Sequence, residues 1–584
     1  MVPRELTDAG PADKAEPPRR LLSNVAISLE SPLLTVPAVG LILVGVFLPL
    51  GVLAVYSLWP TVDQEIVRQW TLENYQRFLL GGPYVIVLAR SLLFAGLASA
   101  IAVVASFPFA YFVATKVPPE RRMIWVLIAV LPFFSSYLIR VLAWMMLLGD
   151  VGIINHALMN AGLIAEPLAL FGRNTSGIVI TFAYLLFPLT FLTSFITLER
   201  SNPTLVEASA DLGARPWQSM TQVILPIART GLLGGFIFSM ITILGDYVTP
   251  RLIGGTQGYM YSTIIQMQFG ASVQWGFGSA LALILIVLVF ALLLILRWST
   301  GGSASVGTFT RAFNPTPAPL LRAYSVLFLA FLYAPVALLF IVAVNARDSI
   351  GFPFVGFTLK WFSAAFSDGM MMRSLFNSLM VATVSVAISI VLGTVAAVQL
   401  SRSGGRLRQA NLAILSLPLF LPPMLLGLGL IIGLNLLGID RGMWTIIFGH
   451  TILSLPIVTL LVLMRLEGID PNLELAAMDL GASPMWALIL VTAPQALPGI
   501  VAAALITFAM SMDEFILTAL VTGSDSTLPL YVFGQLRFRV SPAIAAISAV
   551  LLAASFLMIL IGAFSFNAGR RRGSGPAGTV PTAP

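Results

Sequence analysis

Twelve long apolar runs set the architecture available to this chain. They lie near 33–58, 91–115, 123–148, 177–198, 231–253 and 277–296, then near 323–345, 374–400, 411–437, 443–464, 497–521 and 541–566. A bilayer-crossing helix needs about 20 mostly apolar residues, and backbone groups in lipid must find partners within their own segment. The expected fold class is therefore an all-α polytopic membrane protein of about 12 transmembrane helices. Only 10% of the 584 residues are charged and 58% are hydrophobic, whereas a soluble chain carries about a quarter charged residues. The opening run is too long for a signal-peptide core, and five acids lie among the 32 residues before it.

The runs fall into two copies of six. Glu207-Ala-Ser-Ala-Asp-Leu-Gly-Ala-Arg-Pro216 returns as Glu474-Leu-Ala-Ala-Met-Asp-Leu-Gly-Ala-Ser-Pro484. Asp211, Gly213, Ala214 and Pro226 match Asp479, Gly481, Ala482 and Pro494 at one offset (479 − 211 = 268). Earlier, Trp70-Thr-Leu-Glu-Asn-Tyr75 pairs with Phe357-Thr-Leu-Lys-Trp-Phe362 at a larger one (357 − 70 = 287). A longer loop after the third run of the first half accounts for the difference. The organisation expected is an amino-terminal tail over 1–32, a first domain over 33–297, a Gly/Ser/Pro/Thr-rich linker over 298–322, a second domain over 323–566 and a tail over 567–584. With both termini inside, 20 of the 32 basic residues fall in inside segments, as the positive-inside rule requires. That places both termini and both repeated loops in the cytoplasm. The charge of +7 is thereby read as membrane orientation, with no nucleic-acid partner.

Each repeated loop reads as a short helix stopped by a glycine, then a second helix. Gly213 and Gly481 permit backbone angles that other residues resist, and Leu212, Trp217, Leu480 and Trp486 add apolar knobs. A lone copy is equally well an ordinary solvated turn. Two copies at equivalent points of two halves suit helices that dock into a groove on a partner.

This pattern resembles the coupling motif of ABC importer permeases, and the resemblance covers nearly the whole chain. The first half is similar to one spermidine/putrescine-type permease subunit, through Arg140-Val-Leu-Ala-Trp-Met-Met-Leu-Leu-Gly149 and Gly245-Asp-Tyr-Val-Thr-Pro250; the second is similar to its usual partner subunit, through Met512-Asp-Glu-Phe515 and Thr527-Leu-Pro-Leu-Tyr531. The resemblance implies a natural fusion of two permease subunits with the type I ABC importer permease fold, in the bacterial cytoplasmic (inner) membrane. It implies two ABC ATPase subunits (or a homodimer) and an extracytoplasmic solute-binding protein as partners, besides the lipid. Coupling would fall to Glu207, Ala208, Asp211, Leu212, Gly213, Ala214 and Pro226, and to Glu474, Ala476, Ala477, Asp479, Leu480, Gly481, Ala482 and Pro494. Where the motif usually carries its glutamate the second copy has Leu475, with Glu474 one residue earlier.

The chain carries no phosphate-binding loop for ATP. That loop needs Gly-Lys before Ser or Thr, and the three lysines, Lys14, Lys116 and Lys360, follow Asp13, Thr115 and Leu359. ATP and its Mg ion are expected on separate chains, with no cofactor and no metal here. There is no Cys, the two His are far apart, and no catalytic constellation is present. The chain reads as a transporter component, not an enzyme.

Charged residues inside a membrane are costly and face a cavity or the protein interior. Here they are Arg140 in the third run, Asp246 and Arg251 in the fifth, and Asp513 and Glu514 in the eleventh. Asp246 maps onto Glu514 and Tyr247 onto Phe515 at the 268 offset. With Tyr137 and Trp144, these residues suit a cationic amine, because carboxylates pair with ammonium groups and aromatic faces attract them. The competing reading is structural: an arginine pairs with one acid and the other acids cap broken helices. A polyamine is the substrate class expected; an opine, an aminophosphonate or another small solute is the alternative. A twelve-span secondary transporter is the rival mechanism, although Lys116-Val-Pro-Pro-Glu-Arg-Arg122 poorly matches the basic loop usual in such carriers. A membrane scaffold ranks last. Pro132 and Pro418 are expected to kink the third and ninth runs.

Overall fold

The computed structural model describes residues 32–557, apart from 151, 200–203, 301–317, 352, 537–540 and 555. The two expected tails and most of the linker lie outside the described residues. Among the described residues nine helices are long and apolar enough to cross a bilayer: Leu33–Ser57, Tyr84–Thr115, Thr175–Glu199, Pro216–Leu244, Trp275–Ser299, Pro319–Val344, Gly369–Arg402, Met443–Glu467 and Pro484–Asp513. Two bent pairs supply the third and ninth spans, which brings the spans to 11 among the described residues, and the shorter apolar helix Pro542–Ala554 lies in the twelfth run. Each apolar run thus has a helical counterpart, and the chain is a multi-pass membrane protein. The sixth span ends at Ser299 and the helix that opens the second half starts at Pro319.

The third and ninth runs are not kinked helices but broken ones. Pro119–Phe133 meets Tyr137–Leu147 at 77°, and Gly405–Phe420 meets Pro423–Leu436 at 100°. Pro132 and Pro418 each sit in a tight 3-10 turn, over Leu131–Phe134 and Leu417–Phe420. Behind each turn the backbone goes extended, at Ser135 (ψ 145°) and Leu421 (ψ 128°). Leu421 precedes Pro422, whose ring disfavours a helical predecessor.

The fifth and eleventh spans differ from expectation too. Their helices start at Pro216 and Pro484, inside what the sequence presented as loop, and end at Leu244 and Asp513. Pro226 and Pro494, the last residues of the repeat, therefore lie within the helices. Each is preceded by a wide π turn, over Met220–Ile224 and Leu488–Thr492. Proline lacks an N–H and its ring crowds the carbonyl four residues back, and a widened turn relieves both faults.

Each half is built on three helices. In the first they are the second, fourth and fifth spans (Tyr84–Thr115, Thr175–Glu199, Pro216–Leu244); in the second they are Gly369–Arg402, Met443–Glu467 and Pro484–Asp513. The first span of each half reaches across to the other half, although Leu48–Ser57 also packs on Trp275–Ser299 of its own. Leu33–Ser57 packs on Gly369–Arg402 and Pro423–Leu436 of the second half, and Pro319–Val344 packs on Tyr84–Thr115 and Tyr137–Leu147 of the first. Lipid offers no hydrophobic drive to helix pairing, so close contact and hydrogen bonds must hold these crossings. They are present. A Cβ on Gly429 would lie 2.7 Å from Pro49 Cβ, and one on Gly45 would lie 2.3 Å from Ile452 Cδ1. Asn411 Nδ2 donates to Thr35 Oγ1 at 3.2 Å. On the other crossing Tyr184 Oη donates to Leu332 O at 2.8 Å and Tyr333 Oη to Ile128 O at 2.9 Å. Rings of Phe109, Phe187 and Phe328 fill the space between.

The described residues hold one small hairpin, Thr61–Val62 with Glu65–Ile66, antiparallel with Thr61 opposite Ile66. Its turn residues Asp63 and Gln64 both have positive φ (49° and 67°), as a two-residue hairpin of this hand requires. The repeated Thr-Leu segments lead into short helices, Glu73–Leu80 and Lys360–Ser367, ahead of the second span of each half.

Candidate functional sites

Two regions gather the residues singled out in the sequence. The first is the pair of repeated loops. Thr204–Asp211 and Asn472–Asp479 are eight-residue helices, each followed by a positive-φ glycine, Gly213 (φ 81°) and Gly481 (φ 94°). Both ends close identically. Ala214 N donates to Ser209 O at 3.0 Å and Gly213 N to Ala210 O at 2.9 Å; Ala482 N donates to Ala477 O at 3.0 Å and Gly481 N to Met478 O at 2.9 Å. This paired pattern is the Schellman stop, which satisfies the last carbonyls and needs a left-handed residue where the glycine sits. A second helix follows at Pro216 and at Pro484. Between the two helices of each copy stands the most outward apolar residue of the loop, Leu212 at 89% exposure and Leu480 at 90%. Trp217 and Trp486 are also exposed, as are Ala208, Asp211, Ala476 and Asp479. An exposed apolar cluster of this kind, held on a stopped helix, marks an interaction surface.

The copies differ at one point. Glu207 is exposed. Glu474 is turned inward, and its Oε1 lies 2.7 Å from Arg402 Nη2 at the end of the eighth span. Leu475 takes the outward position, 53% exposed.

The second region lies where the halves meet. The end of the fifth span of each half abuts the broken third span of the other. A Cβ on Gly245 would fall 2.2 Å from Pro422 Cβ, so only glycine permits this approach. At the symmetry-related point, Asp513 Oδ1 accepts from Tyr137 N at 2.6 Å, and Asp513 Oδ2 lies 3.7 Å from Arg140 Nη2. Tyr137 also donates its hydroxyl to Asp246. One residue at the helix break of the first half thus ties together the fifth and eleventh spans.

Asp246 is 4% exposed and engaged by its own half. Its carboxylate accepts from Val248 N at 2.7 Å, Thr249 N at 3.2 Å and Thr249 Oγ1 at 2.8 Å, which caps the short helix Val248–Ile253. Glu514 does the same for Ile516–Val521, accepting from Leu517 N at 2.8 Å. Tyr247 and Phe515 face one another across the interface at 6.5 Å. Arg140 is 3% exposed and lies over the Phe133 ring at 4.8 Å. Arg140, Tyr137, Asp246 and Asp513 are therefore one network, and the features of the structural reading (a paired arginine and capping carboxylates) are all present. Trp144 instead joins an aromatic cluster with Tyr184 at 5.3 Å and Phe331 at 5.9 Å. Arg251 is exposed and lines a cleft of about 440 Å³ with Tyr259 and Gln266.

Sequence reasoning overlooked His450. It is buried, with Nδ1 2.7 Å from Ser511 Oγ and Nε2 2.8 Å from Thr518 Oγ1, and so bridges both sides of the break at Glu514. A histidine inside an apolar run was the available signal.

The polytopic helical bundle holds two parallel repeats, each offering an exposed, Schellman-stopped helix. Residues 33–298 and 389–569 match the family of binding-protein-dependent transport system inner membrane components, and the chain belongs to that family. It is similar to the spermidine/putrescine transport system permease protein PotB of Haemophilus influenzae, 32% identical over 38% of this chain and 78% of the relative. The Escherichia coli K12 PotB is 30% identical over 45% of this chain and 94% of the relative. The E. coli K12 PotC is 32% identical over 40% of this chain and 88% of the relative. Two matched regions in one chain, and relatives that each cover under half of it, make the chain a fusion of two permease units.

Proposed function

We propose that this chain is the membrane component of an ATP-driven importer in a bacterial cytoplasmic membrane, with both termini cytoplasmic and the translocation path between its halves. The carrying observation is the identical Schellman-stopped helix in each half, with Leu212 and Leu480 held outward. Two ATPase subunits, or one homodimer, seat these helices, and a soluble binding protein delivers the solute from the far side. ATP-driven closure of the ATPases moves the two helices together, and the motion passes through the fifth and eleventh spans to the breaks at Asp246 and Glu514.

The substrate class is a polyamine or related cationic amine. Three carboxylates, Asp246, Asp513 and Glu514, lie where the halves meet, and one guanidinium, Arg140, pairs with Asp513; that excess of acid favours a cation. Glu514, half-buried beside Phe515, is the carboxylate best placed to receive it. The names of the relatives support the same class. The test is ATP-dependent uptake in proteoliposomes holding the chain, its ATPase and its binding protein. Spermidine or putrescine should compete for uptake and a neutral solute should not. Glu514→Gln should lower amine uptake more than Asp246→Asn, because Asp246 is already saturated by donors. Full amine uptake by Glu514→Gln would remove the cation site from this account, and competition by an opine or an aminophosphonate alone would replace the substrate.

A further inference from the structure

The two docking helices are built alike, yet they do not present the same chemistry. At the repeat offset (481 − 213 = 268) Glu207 corresponds to Leu475, and the carboxylate of the second copy has moved back one residue to Glu474. One residue is about 100° around a helix. That rotation takes the carboxylate off the outward face and onto the bundle, where Arg402 meets it at 2.7 Å with both side chains mostly covered (21% and 24% exposed). The position equivalent to Arg402 in the first half carries no charge. Counting back by the offset that holds for the second and eighth spans (402 − 287 = 115), the residue there is Thr115, whose hydroxyl donates to Tyr111 O at 2.7 Å.

Both helices end in an exposed aspartate, Asp211 and Asp479. One turn earlier they diverge. The first presents Glu207. The second presents Leu475 (53% exposed) there, which joins Leu473 (45%), Leu480 (90%) and Met485 (45%) in an unbroken apolar face, whereas in the first copy Glu207 stands among the equivalent Leu205 (49%), Leu212 (89%) and Trp217 (60%).

We propose that the chain grips its two ATPase subunits by unlike contacts: the first helix through the Glu207 carboxylate, onto a cationic side chain of the ATPase groove, and the second through an apolar face whose carboxylate is held internally by Arg402. The proposal rests on the reading of the loops as ATPase docking elements. Charge complementarity sets the first partner surface, since an exposed carboxylate at a groove is matched by Arg or Lys. The second surface fits a groove lined by aliphatic side chains, into which an amphipathic helix lays its apolar face. The Arg402–Glu474 pair fixes the angle of the second helix against the eighth span, so that the apolar face points outward.

The experiment uses the full-length chain in nanodiscs, with the ATPase supplied at increasing concentration and ATP hydrolysis stimulated by the permease as readout. Loss of a charge-assisted hydrogen bond corresponds to roughly a tenfold change in affinity. Glu207→Gln should therefore weaken ATPase association roughly tenfold and flatten its dependence on salt, because an exposed ion pair is screened. Glu474→Gln should change association by less than about threefold, with the salt dependence retained. The exchange Arg402→Glu with Glu474→Arg rebuilds the internal pair with reversed polarity and should hold association near the wild-type value. It also guards against Glu474→Gln acting through misfolding. Leu475→Asn should weaken association without altering its salt dependence. Equal losses for Glu207→Gln and Glu474→Gln would overturn the asymmetry, as would abolished association in the exchanged pair. If the wild-type chain engages no ATPase, the docking reading itself fails; if the ATPase engages and the two glutamates behave alike, only the asymmetry fails.

Discussion

Replacing the glycine that stops each docking helix should uncouple the chain without unfolding it. Gly213 and Gly481 have φ of 81° and 94°, and a Cβ at either would meet no atom within 4 Å. The cost is therefore not a clash but the left-handed backbone itself, roughly 1–2 kcal/mol for an ordinary L-residue. An eight-residue helix has little stability of its own, and that penalty lowers the population of the correctly stopped helix about 5- to 30-fold. Asparagine tolerates this conformation better than alanine, and a β-branched residue worse. The expected order of permease-stimulated ATPase activity at either site is Gly, then Asn, then Ala, then Val. Thermal stability of the detergent-solubilised chain should barely move, since both residues lie at the surface. Val variants as active as wild type, or Asn variants worse than Ala, would refute the reasoning. So would a loss of activity matched by a large fall in melting temperature, which would show the glycines acting through the bundle.

Gly245→Ala should destabilise the chain by roughly 1–3 kcal/mol, because the added carbon falls 2.2 Å from Pro422 Cβ across the interface between halves; an unchanged melting temperature would count against that contact. Asp513→Asn leaves the buried Arg140 guanidinium without its charge partner and should cost about 3 kcal/mol. Adding Arg140→Gln should recover part of that loss, and strictly additive losses would show the two do not interact. Asp368 lies just before the eighth span and caps its first turn; burial raises its carboxyl, but bonds from Met371 N at 2.9 Å and Tyr531 Oη at 2.7 Å outweigh this and hold it below the usual carboxylate range. A carboxyl lowered by folding stabilises above its unfolded value of 3.8 and loses that contribution as pH falls through the folded one. The acid limb of the melting profile of Asp368→Asn should accordingly be flatter than that of wild type, and superimposable limbs would argue against the cap.

The repeat, the polytopic helical class and the stopped helices were legible because each leaves a local mark: a proline at matched positions, runs of apolar residues, a Gly at fixed distance from an Asp. The helix breaks were half legible. Pro132 and Pro418 were visible, but a proline in a run does not say whether the helix bends or stops; the stop came from Ser135 and from Pro422 beside Pro423. The crossing of the first spans to the opposite halves left no trace. Leu33–Ser57 is apolar on every side, as a lipid-embedded helix is, and so shows no face from which its neighbours can be read. The pairing of Arg140 with Asp513 joins residues 373 positions apart (513 − 140), and only the packing of the halves selects Asp513 over the nearby acids. The Arg402–Glu474 pair was foreshadowed by the one-residue shift of the glutamate, but its partner was not.

The most direct test of coupling is made on the purified chain reconstituted with its ATPase and binding protein, with a proton gradient and ATP supplied separately. Solute should accumulate only with hydrolysable ATP, and the double variant Gly213→Val with Gly481→Val should hydrolyse ATP without solute-dependent stimulation and accumulate nothing. Accumulation on the proton gradient alone, or full ATP-driven uptake by the double variant, would contradict the account.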